Sequence, residues 1–185
     1  FQKLEEFNVE KLDSSTKTVY SVKNIMAIKP EANSDYSKEF PMVKMYLKKA
    51  SLEGYELNMN SWNEFGKMYY DYFIKDNCNI SEKTKLKLDN IISANDSKLD
   101  KIKKIYKYVQ DNTRYVSVQV GVGGWKPMEV SDVEKYGYGD CKALSNFTRS
   151  LLKAYGIDSY FTVIYGGDKK KFDEEIISMQ GNHAI

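Results

Sequence analysis

The sequence predicts a mixed fold in which strands and helices come in blocks. Three observations predict it. Residues 16–22 alternate with a period of two. Residues 61–112 place apolar side chains at helical spacing. Residues 115–120 return to a period of two, and a strongly amphipathic helix then begins at Cys141.

The first 60 residues hold β-like runs separated by loop signals. Thr16-Lys17-Thr18-Val19-Tyr20-Ser21-Val22 alternates and predicts a strand. Pro30, Asn33-Ser34-Asp35 and Pro41 break the pattern. Met42 to Leu47 is a second strand candidate.

Helices come next. Ser61 stands three residues before Glu64, the spacing of a capping box. Trp62, Phe65, Tyr69 and Tyr72 follow on one helical face, and we read that face as core rather than as a cofactor site. Residues 81–94 form a less regular helix with Leu88, Ile91 and Ile92. Ser97 and Asp100 mark another start, with Leu99, Ile102, Ile105, Tyr106 and Val109 as the apolar face. Lys101, Lys103, Lys104 and Lys107 fall largely on the opposite, solvated side.

Tyr115 to Val120 reads as a half-buried strand, with Val116, Val118 and Val120 on one face. Gln119 points the other way, and its amide is a candidate oxyanion donor or simply a polar strand residue. Trp125 is either a cleft-shaping indole or a packed loop aromatic. Gly121-Val122-Gly123-Gly124 lacks the Gly-Lys-Ser/Thr ending of a phosphate loop, which excludes nucleotide binding by that motif.

From Cys141 onward, Leu144, Phe147, Leu151, Leu152 and Tyr155 share one face. Asp140 is the expected N-cap and Gly156 the expected stop. Cys141 then occupies the first turn, where unpaired backbone N–H groups favour thiolate over thiol. Cys78 has no comparable setting. Ile157 to Tyr165 reads as a strand, Gly166-Gly167 as a turn, and 168–180 as a polar loop. Its Lys169-Lys170-Lys171 is a solvated tip, followed by Asp173-Glu174-Glu175. His183, the single histidine of the chain, starts a further strand. It is the one imidazole available to serve as a base.

Several segments together resemble the transglutaminase-like family of papain-like thiol enzymes. They are Tyr106 to Tyr115, the loop Gly121-Val122-Gly123-Gly124-Trp125-Lys126-Pro127, the motif Tyr138-Gly139-Asp140-Cys141-Lys142, the helix end Leu151 to Ile157, and Asn182-His183-Ala184-Ile185. The chain looks most like a bacterial branch that follows a β-rich domain known as DUF3857. Pro30-Glu31, Pro41 and Ser61-Trp62 carry that second likeness. The resemblance implies an α+β fold with a papain-like, transglutaminase-type core. The nucleophile cysteine would sit at a helix N-terminus packed on an antiparallel sheet. It divides the chain into residues 1–60, the end of the β-rich region, and 61–185, the transglutaminase-like domain.

The resemblance further implies a Cys-His-Asp triad, with Cys141 as nucleophile and His183 as general base. The acid would follow on the next strand, past Ile185, so the domain is expected to be cut short at its C-terminal end. Gln119 is a candidate oxyanion donor, and Trp125 and Tyr138 are candidate substrate-cleft residues. The expected chemistry is acyl transfer at amide or peptide bonds, with hydrolysis favoured over cross-linking by analogy. The alternative is a non-catalytic peptide-binding or assembly module on the same fold.

Composition narrows the partners. The net charge is +2, and arginine occurs only at Arg114 and Arg149, with no basic stripe to suit nucleic acid. No run of about 18 apolar residues predicts a membrane-spanning helix. Two cysteines and one histidine neither build a disulfide framework nor complete a structural zinc site. The resemblance implies a peptide or protein substrate, and neither a cofactor nor a metal is expected. The resemblance places the protein in the periplasm, the cell envelope or outside the cell.

Overall fold

The computed structural model describes residues 9–27, 29, 31–32, 43–167 and 171–185. Pro30, Asn33-Ser34-Asp35, Pro41, Met42, Lys169 and Lys170 lie outside them. The chain divides into two units, Phe1–Tyr46 and Leu47–Ile185. The first contains an antiparallel hairpin of β1 (Val9–Asp13) and β2 (Thr18–Val22). Ser14 closes its turn, with its N–H on the Lys17 carbonyl at 2.8 Å. β2 is the strand the alternation predicts. Its partner escaped prediction because Val-Glu-Lys-Leu-Asp lacks a period of two.

The strand expected at Met42 to Leu47 is not formed: residues 43–47 have no regular structure. The chain instead makes a hairpin of β3 (Lys49–Leu52) and β4 (Tyr55–Asn58). Glu53 and Gly54 both have positive φ, 47° and 87°, which is the backbone of a tight two-residue turn. This hairpin belongs to the second unit. It leads into α1 (Trp62–Tyr69), capped by Ser61, whose hydroxyl accepts the Glu64 N–H at 3.1 Å. A wider π turn over Tyr70–Ile74 extends the helix and buries Phe73 and Ile74. No residue of α1 itself is buried. The core reading of the Trp62-Phe65-Tyr69-Tyr72 stripe is therefore overturned.

The main core forms around the later helices. α2 (Glu82–Asp89) and α3 (Lys98–Asn112) are capped by Ser81 and Ser97. They bury Leu88, Ile105 and Val109, with Ile92 just beyond α2. Leu99 and Tyr106 are more than half exposed, and Ile91 is 44% exposed. The buried stripe of α3 is thus narrower than its apolar pattern. α4 (Val130–Tyr136), not anticipated from the sequence, adds Val130 and Val133. These side chains pack with Ala143, Phe147 and Leu151 of α5 (Cys141–Ala154).

α5 ends as its sequence predicts. Gly156 has φ +69°. Its N–H reaches the Lys153 carbonyl, and that of Ile157 reaches Leu152, both at 3.0 Å. This double closure is the Schellman arrangement.

The strand predicted over Tyr115 to Val120 is much shorter. β5 (Arg114–Tyr115) pairs in parallel with β6 (Tyr138–Gly139). One further bond joins the Val116 N–H to the Gly139 carbonyl. Val118 and Val120 are exposed, so alternation beyond Val116 finds no core face to bury. Gly121–Gly124 then forms a short 3-10 turn. Likewise, of Ile157 to Tyr165 only β7 (Val163–Ile164) is a strand. It pairs antiparallel with β8 (His183–Ala184). Thr162 and Ile185 exchange backbone bonds at 2.9 Å beside this pair. The result is an α+β arrangement of helices and small two-stranded sheets. Among the described residues no helix is long and apolar enough to cross a membrane.

Candidate active site

The site begins at the N-terminus of α5. One carboxylate oxygen of Asp140 accepts the Ala143 N–H at 3.0 Å. The other pairs with the Lys142 ammonium. Asp140 is 3% exposed and Lys142 8%, so the pair is nearly out of water. Each charge needs the other there, because an unpartnered buried ion is costly. The Leu144 N–H is taken by the Asp140 carbonyl at 2.9 Å. The first N–H groups of the helix, at Cys141 and Lys142, precede any intrahelical acceptor. Cys141 is itself buried, at 7%. Gly139 lets the chain enter this turn, since a Cβ there would lie 2.7 Å from the Ala143 methyl.

β8 packs against the same helix. Ser145, one turn after Cys141, donates its hydroxyl to the Ala184 carbonyl at 3.1 Å. His183 is opposite Ile164 in the strand pair. The preceding Asn182 grips the other chain. Its side-chain oxygen accepts the Gly166 N–H at 2.7 Å, and its amide donates to the Gly166 carbonyl at 3.2 Å. The helix and the strand are thus joined where Cys141 and His183 lie.

Both residues line one cleft of about 940 Å³. Gln119 and Trp125 line it as well. Tyr138 does not. Its ring stands 6.0 Å from that of Tyr136, with the Arg114 guanidinium at 6.0 Å. Cys78 also lies apart, with its thiol on the Lys75 carbonyl at 3.2 Å.

Part of the wall comes from α1 through Trp62, Phe65 and Tyr69. The Tyr69 hydroxyl donates to the Trp125 carbonyl at 2.6 Å, so α1 holds the loop that carries Trp125. Burial pushes the Tyr69 phenol well above its ordinary range, and negative charge at Asp140 and Cys141 adds to the effect. It therefore stays a hydrogen-bond donor at neutral pH.

Asn77 fixes the other end of the same loop. Its amide donates to the Met128 carbonyl at 3.2 Å and its oxygen accepts the Val130 N–H at 2.8 Å. Asn146 of α5 donates in turn to the Asn77 carbonyl at 2.6 Å. Residues 172–181 complete the rim. Gln180 bonds Asp173 and Ile176 within the segment, and the Trp62 indole donates to the Glu174 carbonyl at 2.8 Å.

Sequence reasoning missed the roles of Tyr69, Trp62 and Asn77. The aromatic spacing of α1 was visible, but nothing in it separates a cleft wall from a core face. The isolated Asn77 carries no local signal at all. Among the described residues, no group of three or more His, Cys, Asp or Glu is placed to hold a metal ion.

A family model described as the transglutaminase-like superfamily matches residues 87–185, more than half of the chain. No curated protein and no solved structure matches it significantly. The chain belongs to the transglutaminase-like superfamily, whose fold is of the thiol acyl-transfer type.

Proposed function

We propose that this member of the transglutaminase-like superfamily is a thiol enzyme with a papain-like core. In this reading it cleaves amide or peptide bonds through Cys141 and His183. The observation that carries the reading is the shared cleft. Cys141 stands at a capped helix N-terminus, His183 lines the same cavity, and Ser145 ties their two elements together.

In this mechanism the Cys141 thiol passes its proton to His183 as Sγ attacks the carbonyl carbon. A C–S bond forms and the carbonyl oxygen becomes an oxyanion. Backbone N–H groups at the start of α5 stabilise that charge in this reading, assisted by the amide of Gln119, a residue of the same cleft lining. The tetrahedral intermediate collapses, the C–N bond breaks, and His183 gives its proton to the leaving amine. Water then attacks the thioester with His183 as base, releasing the acid and restoring the thiol. An amine in place of water would give cross-linking. We favour hydrolysis, and an exported or envelope setting, on the family likeness. No Asp or Glu lines the cleft among the described residues, so we assign no acid partner to His183.

Alkylation of Cys141 by iodoacetamide tests the proposal, with Cys78→Ser as the common background. A Cys-His pair labels on the order of tenfold faster than an ordinary thiol at about pH 6, because more of it is thiolate. His183→Ala abolishes that advantage. A labelling profile that follows a free thiol and ignores His183 would leave the binding-module alternative in its place.

A further inference from the structure

The cleft extends beyond the Cys141 end. Cys141, Ser145 and Arg149 recur every four residues and so share one face of α5. Arg149 also lines the cavity, together with Ser159 and Tyr70. Eight residues of helix put its backbone about 12 Å from that of Cys141.

The chemistry at this far end is unbalanced. One terminal nitrogen of Arg149, Nη1, is buried and has no hydrogen-bond partner. The other, Nη2, donates only weakly, to the Tyr70 hydroxyl at 3.4 Å, and the guanidinium lies 5.6 Å from the Tyr70 ring centre. The Ser159 hydroxyl is likewise buried and unpartnered. Both atoms are closed to solvent, so a ligand engages them only once the side chains turn toward the cleft that both residues line, and buried donors are rarely left unsatisfied. The cavity supplies no counter-charge. Lys142, the other cationic chain in its wall, is already neutralised by Asp140. No Asp or Glu lines the cleft among the described residues.

We infer that Arg149 and Ser159 form a carboxylate-recognition subsite for the substrate of the Cys141 centre. Guanidinium and hydroxyl together offer a carboxylate the charge-assisted hydrogen bonds it prefers. The inference rests on the proposed reaction for the meaning of the word substrate, but the recognition itself is a binding event that can be measured alone. An extended peptide rises about 3.3 Å per residue, so the recognised carboxylate lies about two to four residues from the attacked carbonyl. The aromatic side chains in the cleft wall suit apolar residues in that interval. The substrate class is therefore a short peptide segment with an apolar stretch and a carboxylate at its far end.

The test uses unreactive hydrophobic peptides of about two to four residues, matched to that span. One set is acetylated and ends in either a free carboxylate or a carboxamide. A second set ends in carboxamide and starts with either a succinyl or an acetyl group, which places the charge at the other end. Both tryptophans of the chain line the cleft, so intrinsic fluorescence reports binding.

The carboxylate peptide in one of the two sets binds on the order of tenfold tighter than its neutral twin. Arg149→Met brings that ratio to one, Arg149→Lys keeps part of it, and Arg149→Glu inverts it in favour of the neutral twin. Ser159→Ala lowers it by a smaller factor. Each ratio compares two ligands on one folded protein, and thermal melting of each variant verifies the fold. Equal or undetectable binding of charged and neutral peptides by the unmodified chain, or a ratio that survives Arg149→Met, overturns the subsite. His183-dependent labelling of Cys141 is read separately. The reaction can therefore stand while the subsite falls, and the reverse.

Discussion

α5 and α1 are both amphipathic, both start at a side-chain cap, and both line the cleft. They spend these assets differently. α5 buries Phe147 and Leu151 in the main core and keeps its first turn for the cleft. α1 has no fully buried residue and presents Trp62, Phe65 and the partly buried Tyr69 to the cavity. Their caps differ too. Ser61 accepts one backbone N–H, whereas Asp140 accepts one and neutralises a buried lysine. An apolar stripe tells where a helix is sticky, and only its neighbours decide whether the stripe is core or cleft.

The largest expected effect separates the caps. Asp140→Ala removes the helix cap and leaves Lys142 buried without its counter-ion, which costs about 3–5 kcal/mol. Ser61→Ala costs about 1 kcal/mol. Urea unfolding measures both. The double change Asp140→Ala with Lys142→Ala recovers much of the loss if the unpaired charge is its cause. Equal costs for the two single variants would erase the distinction.

The next contrast is between apolar side chains. Leu151→Ala leaves a cavity among fully buried neighbours and costs about 3 kcal/mol. Phe65→Ala, though it removes a larger group, costs about 1 kcal/mol because its ring is only partly covered. The same unfolding assay reads both, and a larger loss for Phe65 would mean that α1 belongs to the core after all.

The smallest effect sharpens the role of Tyr69. Tyr69→Phe deletes the bond to the Trp125 carbonyl and costs about 1 kcal/mol near neutral pH. The phenol has a raised pKa in the folded state. Its stabilisation is therefore fully present below the ordinary tyrosine value of 10.0 and is lost as pH rises above it. The unmodified protein loses stability in that alkaline range more steeply than Tyr69→Phe does. Parallel stability curves above pH 10.0 would show that the hydroxyl is not shielded.

Much of this molecule can be read locally. Asp140, Ser61 and Ser97 mark helix starts because a short polar side chain can reach the N–H two or three residues on. Gly156 marks a helix end because it alone takes the left-handed turn without penalty. The setting of Cys141 follows from these short-range rules. The turn at Glu53-Gly54 was equally local and could have been found from its glycine. The alternating valines after Val116 show the opposite case: without a partner strand, a period of two builds no strand.

The sequence by itself determined four of the helices though not α4, the caps at Ser61, Ser97 and Asp140, the placement of Cys141 in a first turn, and the family likeness around His183. All of these depend on contacts within a few residues or on a motif. Only the tertiary structure decided that α1 walls the cleft, that Asn77 and Tyr69 hold the Trp125 loop, and that Arg149 and Ser159, which both line that cavity, keep buried donors without partners. Those facts join residues far apart in the chain. Their energies come from burial and from partners that exist only once the helices and strands have packed.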